Sequence, residues 1–182
     1  MAAEVAGMDI AQLVAEHHAA VYRYAYRLAG SVPDAEDLCQ QVFLVAQQKL
    51  RQLRDESSAR SWLFAILRNR FLKTVQEQRL TAAGNAEIDI NDIPTEIPSD
   101  EQIDREQFQD ALKELSPEHR VVLAMFYFEE CSYREIGEKL GLPIGTVMSR
   151  LARAKAYLRW RLLATDAGQR PQEMPPLARQ RG

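Results

Sequence analysis

Apolar residues along this chain recur every three to four positions, and no stretch alternates convincingly with polar ones. That period is helical, whereas a half-buried strand would alternate. The pattern predicts an all-α protein. A first helix runs from about Ile10 to Ala29, with Leu13, Val14, Val21, Tyr22, Ala25 and Leu28 on or near one stripe, and Gly30 ends it. A second starts near Pro33 and continues to about Leu50, with Asp34, Glu36 and Asp37 near its start, where carboxylates suit the helix dipole. A third follows the polar stretch Arg51–Ser58 and reaches about Arg79.

The periodicity then fails. TAAGNAEIDINDIPTEIPSD holds two prolines, a glycine and many acids, and reads as a flexible linker. Helices resume over about 100–114, 117–129, 132–140 and 143–163. Ser99 with Gln102 and Ser132 with Glu135 have capping-box spacing, and Ser116-Pro117 is a cap followed by a first-turn proline. The tail TDAGQRPQEMPPLARQRG is rich in Pro, Gly and Gln and predicts disorder. The predicted organisation is two small helical domains, 8–80 and 106–165, a linker at 81–105 and a tail at 166–182.

Composition narrows the function classes. A chain of 182 residues suffices for one or two small domains, and 46% hydrophobic with 27% charged residues is ordinary for a globular protein. No apolar run approaches a membrane span, and the start MAAEVAGMDIAQ lacks the basic and apolar regions of a signal peptide. Cys39 and Cys131 are far apart and outside any CxxC pair, which fits a reducing cytoplasm. Two of the three histidines, His17 and His18, are adjacent, so no metal-ligand cluster is expected. There is no phosphate loop and no nucleophile–base pairing. The expectation is a protein that is not an enzyme, with no cofactor and no small-molecule substrate.

The net charge of −3 would argue against nucleic acid if it were uniform. It is not. Residues 51–80 carry seven Lys/Arg and three Asp/Glu, residues 81–118 two and eleven, and residues 134–182 ten and four. Two basic surfaces separated by an acidic stretch suggest two places that meet polyanions.

The second basic region contains SYREIGEKLGLPIGTVMSRLARAK. Val147, Leu151, Ala154 and Leu158 form one buried stripe, while Thr146, Ser149, Arg150 and Arg153 occupy another face with hydroxyls, guanidiniums and no acid. Ile136 and Leu140 are the expected buried residues of the preceding helix. Gly137 would allow close approach, Gly141 a left-handed turn, and Leu142 a plug at the corner. This is the pattern of a helix-turn-helix with its second helix shaped for a major groove, and the alternative is an ordinary helical hairpin with a solvated basic face.

Longer stretches carry a family resemblance. LSPEHRVVLAMFYFEECSYREIGEKLGLPIGTVMSRLARAKAYLR resembles region 4 of bacterial extracytoplasmic-function (ECF) sigma factors. DAEDLCQQVFLVAQQKL resembles their region 2.2, and SARSWLFAILRNRFLKTV their regions 2.3–2.4. Two motifs in the family's order span roughly residues 10–163. The resemblance implies a three-helix bundle for region 2 and a helix-turn-helix for region 4. It implies core RNA polymerase, through its β′ coiled coil and β subunit, and promoter DNA as partners. It further implies an anti-sigma factor, often membrane-anchored, that would hold this cytoplasmic protein at the inner membrane. Competing readings are a stand-alone helix-turn-helix regulator and an anti-sigma or adaptor protein. Residues 33–73 speak against the first, and the basic face at Arg150 and Arg153 against the second.

Residue by residue, the resemblance places base reading of the −35 duplex on Met148, Ser149, Ala152 and Arg153, and phosphate contacts on Thr146 and Arg150. The family often has Lys or Arg where Met148 stands, so a donor is lost. Arg159 and Arg161 are either solvated or additional phosphate contacts. For the single-stranded −10 element, the loop Arg51–Ser58 would supply a base pocket, with Arg60, Ser61, Arg68, Asn69 and Lys73 as contacts. Trp62 could stack on a base, but with Leu63, Ile66 and Leu67 it fits a core stripe better. Polymerase docking falls on Asp34, Glu36, Asp37, Gln40 and Gln41, with Phe43 and Leu44 in the core. The family usually has Glu at the position of Gln41. The acidic linker would thread the polymerase's main channel.

Overall fold

The computed structural model describes residues 9–81 and 105–166, all in helices, turns and short loops. The chain divides into two compact units, the first ending at Asn85 and the second beginning at Ala86. The predicted linker and tail lie outside the described residues, apart from the helix ends at Thr81, Arg105 and Asp166. The Ser99–Gln102 start signal lies outside them as well.

The first unit is three helices, α1 (Ile10–Ala29), α2 (Val32–Lys49) and α3 (Ala59–Thr81), each packed on the other two. Local chemistry sets their ends. Asp9 caps α1 by accepting from the Gln12 amide at 2.7 Å, and Gly30 closes it at φ 88°. Ser31 caps α2, with Pro33 in its first turn. Between α2 and α3 lie two 3-10 turns, Leu50–Gln52 and Glu56–Ser58, pinned by buried Leu53 and by Asp55, which accepts from the Ser57 amide at 3.0 Å. Hydrogen bonds from the Ser57 hydroxyl and from this amide hold the Asp55 carboxyl below the usual carboxylate range. Tyr24 meets Phe64 edge to face, with ring centroids 4.8 Å apart, among Leu13, Leu28, Val42, Leu63 and Leu67. Burial pushes the Cys39 thiol up to about 11, so it stays protonated as a small core residue.

The second unit packs α4 (Arg105–Glu114), α5 (Pro117–Tyr127) and α6 (Tyr133–Leu140) on a long α7 (Ile144–Asp166). Helix α5 stops two residues before its predicted end. Glu130 takes φ 54°, which brings the Cys131 amide to the Met125 carbonyl at 3.1 Å and turns the chain. Ser116 sits at the cap position of α5, but its hydroxyl lies 2.7 Å from His119 Nδ1 and makes no backbone cap bond. The capping box of α6 is complete, with Ser132 accepting from the Glu135 amide and Glu135 accepting from the Ser132 amide at 2.8 Å. Hydrogen bonds from the Ser132 hydroxyl, at 2.7 Å, and the Ser132 amide hold the Glu135 carboxyl below its usual range. Ile136 is buried, whereas Leu140 is only half-buried. Tyr157 and Arg161 of α7 both bind Glu114 of α4, Arg161 Nε at 3.1 Å from each carboxylate oxygen. Burial and this carboxylate push the Tyr157 phenol well up.

The turn from α6 to α7 decides how α7 is presented. Gly141 takes φ 65°, and the Leu142 amide donates to the Gly137 carbonyl at 2.9 Å. A Cβ on Gly137 would stand 2.8 Å from the Leu142 carbonyl oxygen, a backbone atom that cannot swing away. Gly137→Ala is therefore expected to lower stability by about 1–3 kcal/mol, the usual cost of forcing atoms into a packed site. A thermal melt checks this, and an unchanged midpoint would mean the turn has slack.

Candidate nucleic-acid interface

The first turns of helix α7 bury one stripe, whereas further along Ala156 and Tyr157 are buried on other faces. Val147, Leu151, Ala154 and Leu158 are all buried, which fixes its rotation against α5 and α6. Thr146, Ser149, Arg150 and Arg153 are half-buried, and Ala152 is exposed. Met148 is 51% exposed. All six −35 candidates thus lie off the buried stripe, and no acidic residue occurs between Ile144 and Thr165. The Ser149 hydroxyl donates to the Thr146 carbonyl at 3.0 Å, leaving its lone pairs to accept. Lys155 lies over the Phe126 ring at 4.6 Å and the Tyr127 ring at 5.5 Å, so its charge is held at α5. Arg161, bound to Glu114, belongs to the fold rather than to a DNA surface.

The α3 candidates divide. Trp62, Asn69 and Lys73 share one face at i, i+7 and i+11. Asn69 and Lys73 are exposed, and Trp62 is half-buried at the edge of the Leu63–Leu67 core. Lys73 Nζ lies 3.8 Å from Glu77 on the exposed surface. Arg60 and Ser61 are exposed at the helix start, Arg60 over the Phe64 ring at 5.2 Å and Ser61 donating to the Ser58 carbonyl at 2.9 Å. Arg68 is different: it is 5% exposed. A guanidinium buried in the bundle cannot hold a surface phosphate, so the expected DNA contact at Arg68 is corrected to a core position.

On α2, Asp34, Glu36, Asp37 and Gln40 are exposed, and half-buried Gln41 donates to Asp37 Oδ2 at 2.6 Å. Phe43 is half-buried and Leu44 is 54% exposed, which corrects their expected core placement. Leu44 follows Asp37, Gln40 and Gln41 at i+7, i+4 and i+3, so it adds an apolar residue to the acidic face. That spacing was the signal available for it in the sequence.

Residues 13–81 match the family model for sigma-70 region 2, and residues 105–158 match that for sigma-70 region 4. The chain is 38% identical to ECF RNA polymerase sigma factor SigL of Mycobacterium tuberculosis, over 79% of this chain and 83% of that protein. The chain belongs to the ECF sigma factors of the sigma-70 family. It is also 36% identical to the ECF sigma factor SigE of Mycolicibacterium smegmatis over 81% of its own length, although it spans only 59% of that longer protein. Among solved structures, it resembles the sigma factor RpoE of Bartonella quintana, crystallised with the anti-sigma factor NepR, at a TM-score of 0.63 and 25% identity, covering 85% of this chain and 97% of that one. The fold is also similar to that of CnrH, solved with the cytosolic domain of CnrY, at a TM-score of 0.51. As an ECF sigma factor, the chain carries region 2 on α1–α3 and region 4 on α4–α7.

Proposed function

We propose that this chain is an alternative sigma factor that binds core RNA polymerase, directs it to particular promoters and helps open the DNA. The observation carrying this is the pairing, on one chain, of a region 4 helix-turn-helix with an acid-free outer face and a region 2 bundle with an exposed acidic α2 face. A stand-alone regulator would need only the first. The role is that of a specificity subunit and involves no catalysis by this chain.

In this reading α7 enters the major groove of the −35 duplex. Met148, Ser149, Ala152 and Arg153 face base edges, while Thr146 and Arg150 hold phosphates. The 51–58 loop with Arg60, Ser61, Asn69 and Lys73 receives the unstacked −10 strand, since a separated strand needs a basic surface and places to seat its bases. Trp62 stands beside Asn69 and could stack on one. Domain limits near 8–80 and 106–165 follow from these assignments. The 81–105 linker, with eight acids against one base over residues 85–106, suits a basic nucleic-acid channel in the polymerase.

Docking on core polymerase uses Asp34, Glu36, Asp37, Gln40 and Gln41, with Leu44 as its apolar element, against the β′ coiled coil; the β subunit would receive region 4. Among the described residues no helix is long and apolar enough to cross a membrane. We place the chain in the cytoplasm, held inactive by an anti-sigma factor by analogy with the RpoE–NepR complex, with membrane sequestration following if that factor is anchored. Asp37→Lys is expected to weaken the complex with core RNA polymerase at least about tenfold, because reversing a charge at a docking rim both removes attraction and adds repulsion. Titration of labelled protein with core polymerase measures this. Wild-type affinity in the variant would remove α2 from the docking surface.

A further inference from the structure

Ile144 and Met148 are 52% and 51% exposed, two large apolar side chains one turn apart on α7. Exposed Ala152 continues the line by another turn. This line lies between the buried stripe and the polar face of Ser149 and Arg153. A helix seated in a major groove meets phosphates, hydrogen-bonding base edges and one apolar group, the C5-methyl of thymine. We propose that Ile144, Met148 and Ala152 read thymine methyls, so that the −35 duplex selected by this chain carries thymine, on one strand or the other, opposite this line. The inference rests on the reading of α7 as the −35 reader and adds the base class it selects.

Position and charge support it. Ile144, Met148 and Ala152 occupy the first three turns of α7, the part of a recognition helix that reaches base edges. A Cβ built on Gly145 would meet nothing within 4 Å, so the start of α7 can approach the groove floor closely. Arg150 and Arg153 stand on the same helix with no acid before Asp166, which favours a polyanion over an apolar protein surface as the occupant. Met148 carries no guanidinium or ammonium and cannot make the bidentate contact that selects guanine, so its discrimination must come from shape and apolar contact.

Deoxyuridine in place of thymidine deletes the methyl and keeps every hydrogen-bonding group. Holoenzyme assembled from the full chain and core RNA polymerase first selects active promoters from a library randomised across the −35 region. The strongest is remade with uracil at one −35 thymine at a time, with one spacer thymine as control. Each methyl read by the helix should contribute about fourfold to the initial transcription rate, the effect of removing one such group from water. Met148→Ala and Ile144→Ala, both at exposed positions, should each erase the penalty at one thymine and leave the control unchanged. The proposal is overturned by a selected −35 element without thymine, by uracil templates transcribed as well as thymine templates, or by an equal penalty in wild type and in the Ile144→Ala/Met148→Ala double variant. Absence of a transcript from every template is a separate result: it removes the sigma-factor reading, and this proposal with it.

Discussion

Arg153→Ala is expected to lower promoter-specific transcription roughly fivefold to a hundredfold, the effect of removing a guanidinium that reads a base edge. Arg153 lies on the α7 face away from the buried stripe and is half-buried. Truncation should therefore move the melting midpoint little while the −35 preference relaxes at one base pair. Lys in its place should restore less than half of the lost specificity, because an ammonium keeps the charge without the planar fork. Run-off transcription from promoter variants separates the outcomes. If Arg153→Ala weakens all promoters equally, Arg153 holds a phosphate instead of a base. If it changes nothing, α7 is not the reader.

The largest effect on stability is expected at Phe64. It is 2% exposed and packs edge to face on Tyr24 at the centre of the region 2 bundle. Phe64→Ala should cost about 3–5 kcal/mol from lost burial and the cavity left behind. A domain this small holds a stability near the lower end of about 5–15 kcal/mol, so most of it is lost. The melting midpoint of this unit should fall by roughly 15 °C or more. Leu80→Ala, at an 82% exposed position, supplies the control and should shift it by no more than about a degree. A Phe64→Ala shift comparable to the control would mean that the bundle repacks around the site.

Helix ends were legible because they depend on neighbours in sequence. Gly30 and Gly141 supply left-handed turns, and Ser132 with Glu135 satisfies amides within one turn. The buried face of α7 was legible too, since Val147, Leu151, Ala154 and Leu158 form a single stripe. Helix α3 was harder. Phe64, Leu67 and Phe71 are buried beside half-buried Trp62 and Ile66, so apolar side chains cover much of its circumference and the pattern alone does not say where the core ends. Arg68 lies within that ambiguity, and a charged residue was placed at the surface that the bundle in fact encloses. Leu44 was misplaced in the opposite sense, because an apolar residue beside Val45 looks like core until α1 and α3 are seen to cover only one side of α2. Pairs distant in sequence had no local signal at all: Arg161 with Glu114, and Lys155 with Phe126, exist only once α4 and α5 pack on α7.

The most direct test of the central claim is run-off transcription by purified core RNA polymerase on a promoter library, with and without this chain. The account predicts promoter-specific transcripts that appear only with the chain and are weakened on replacing Arg153 or Asn69 by alanine. No transcript, together with no complex between the chain and core polymerase on gel filtration, would contradict it and leave an isolated helix-turn-helix regulator as the reading.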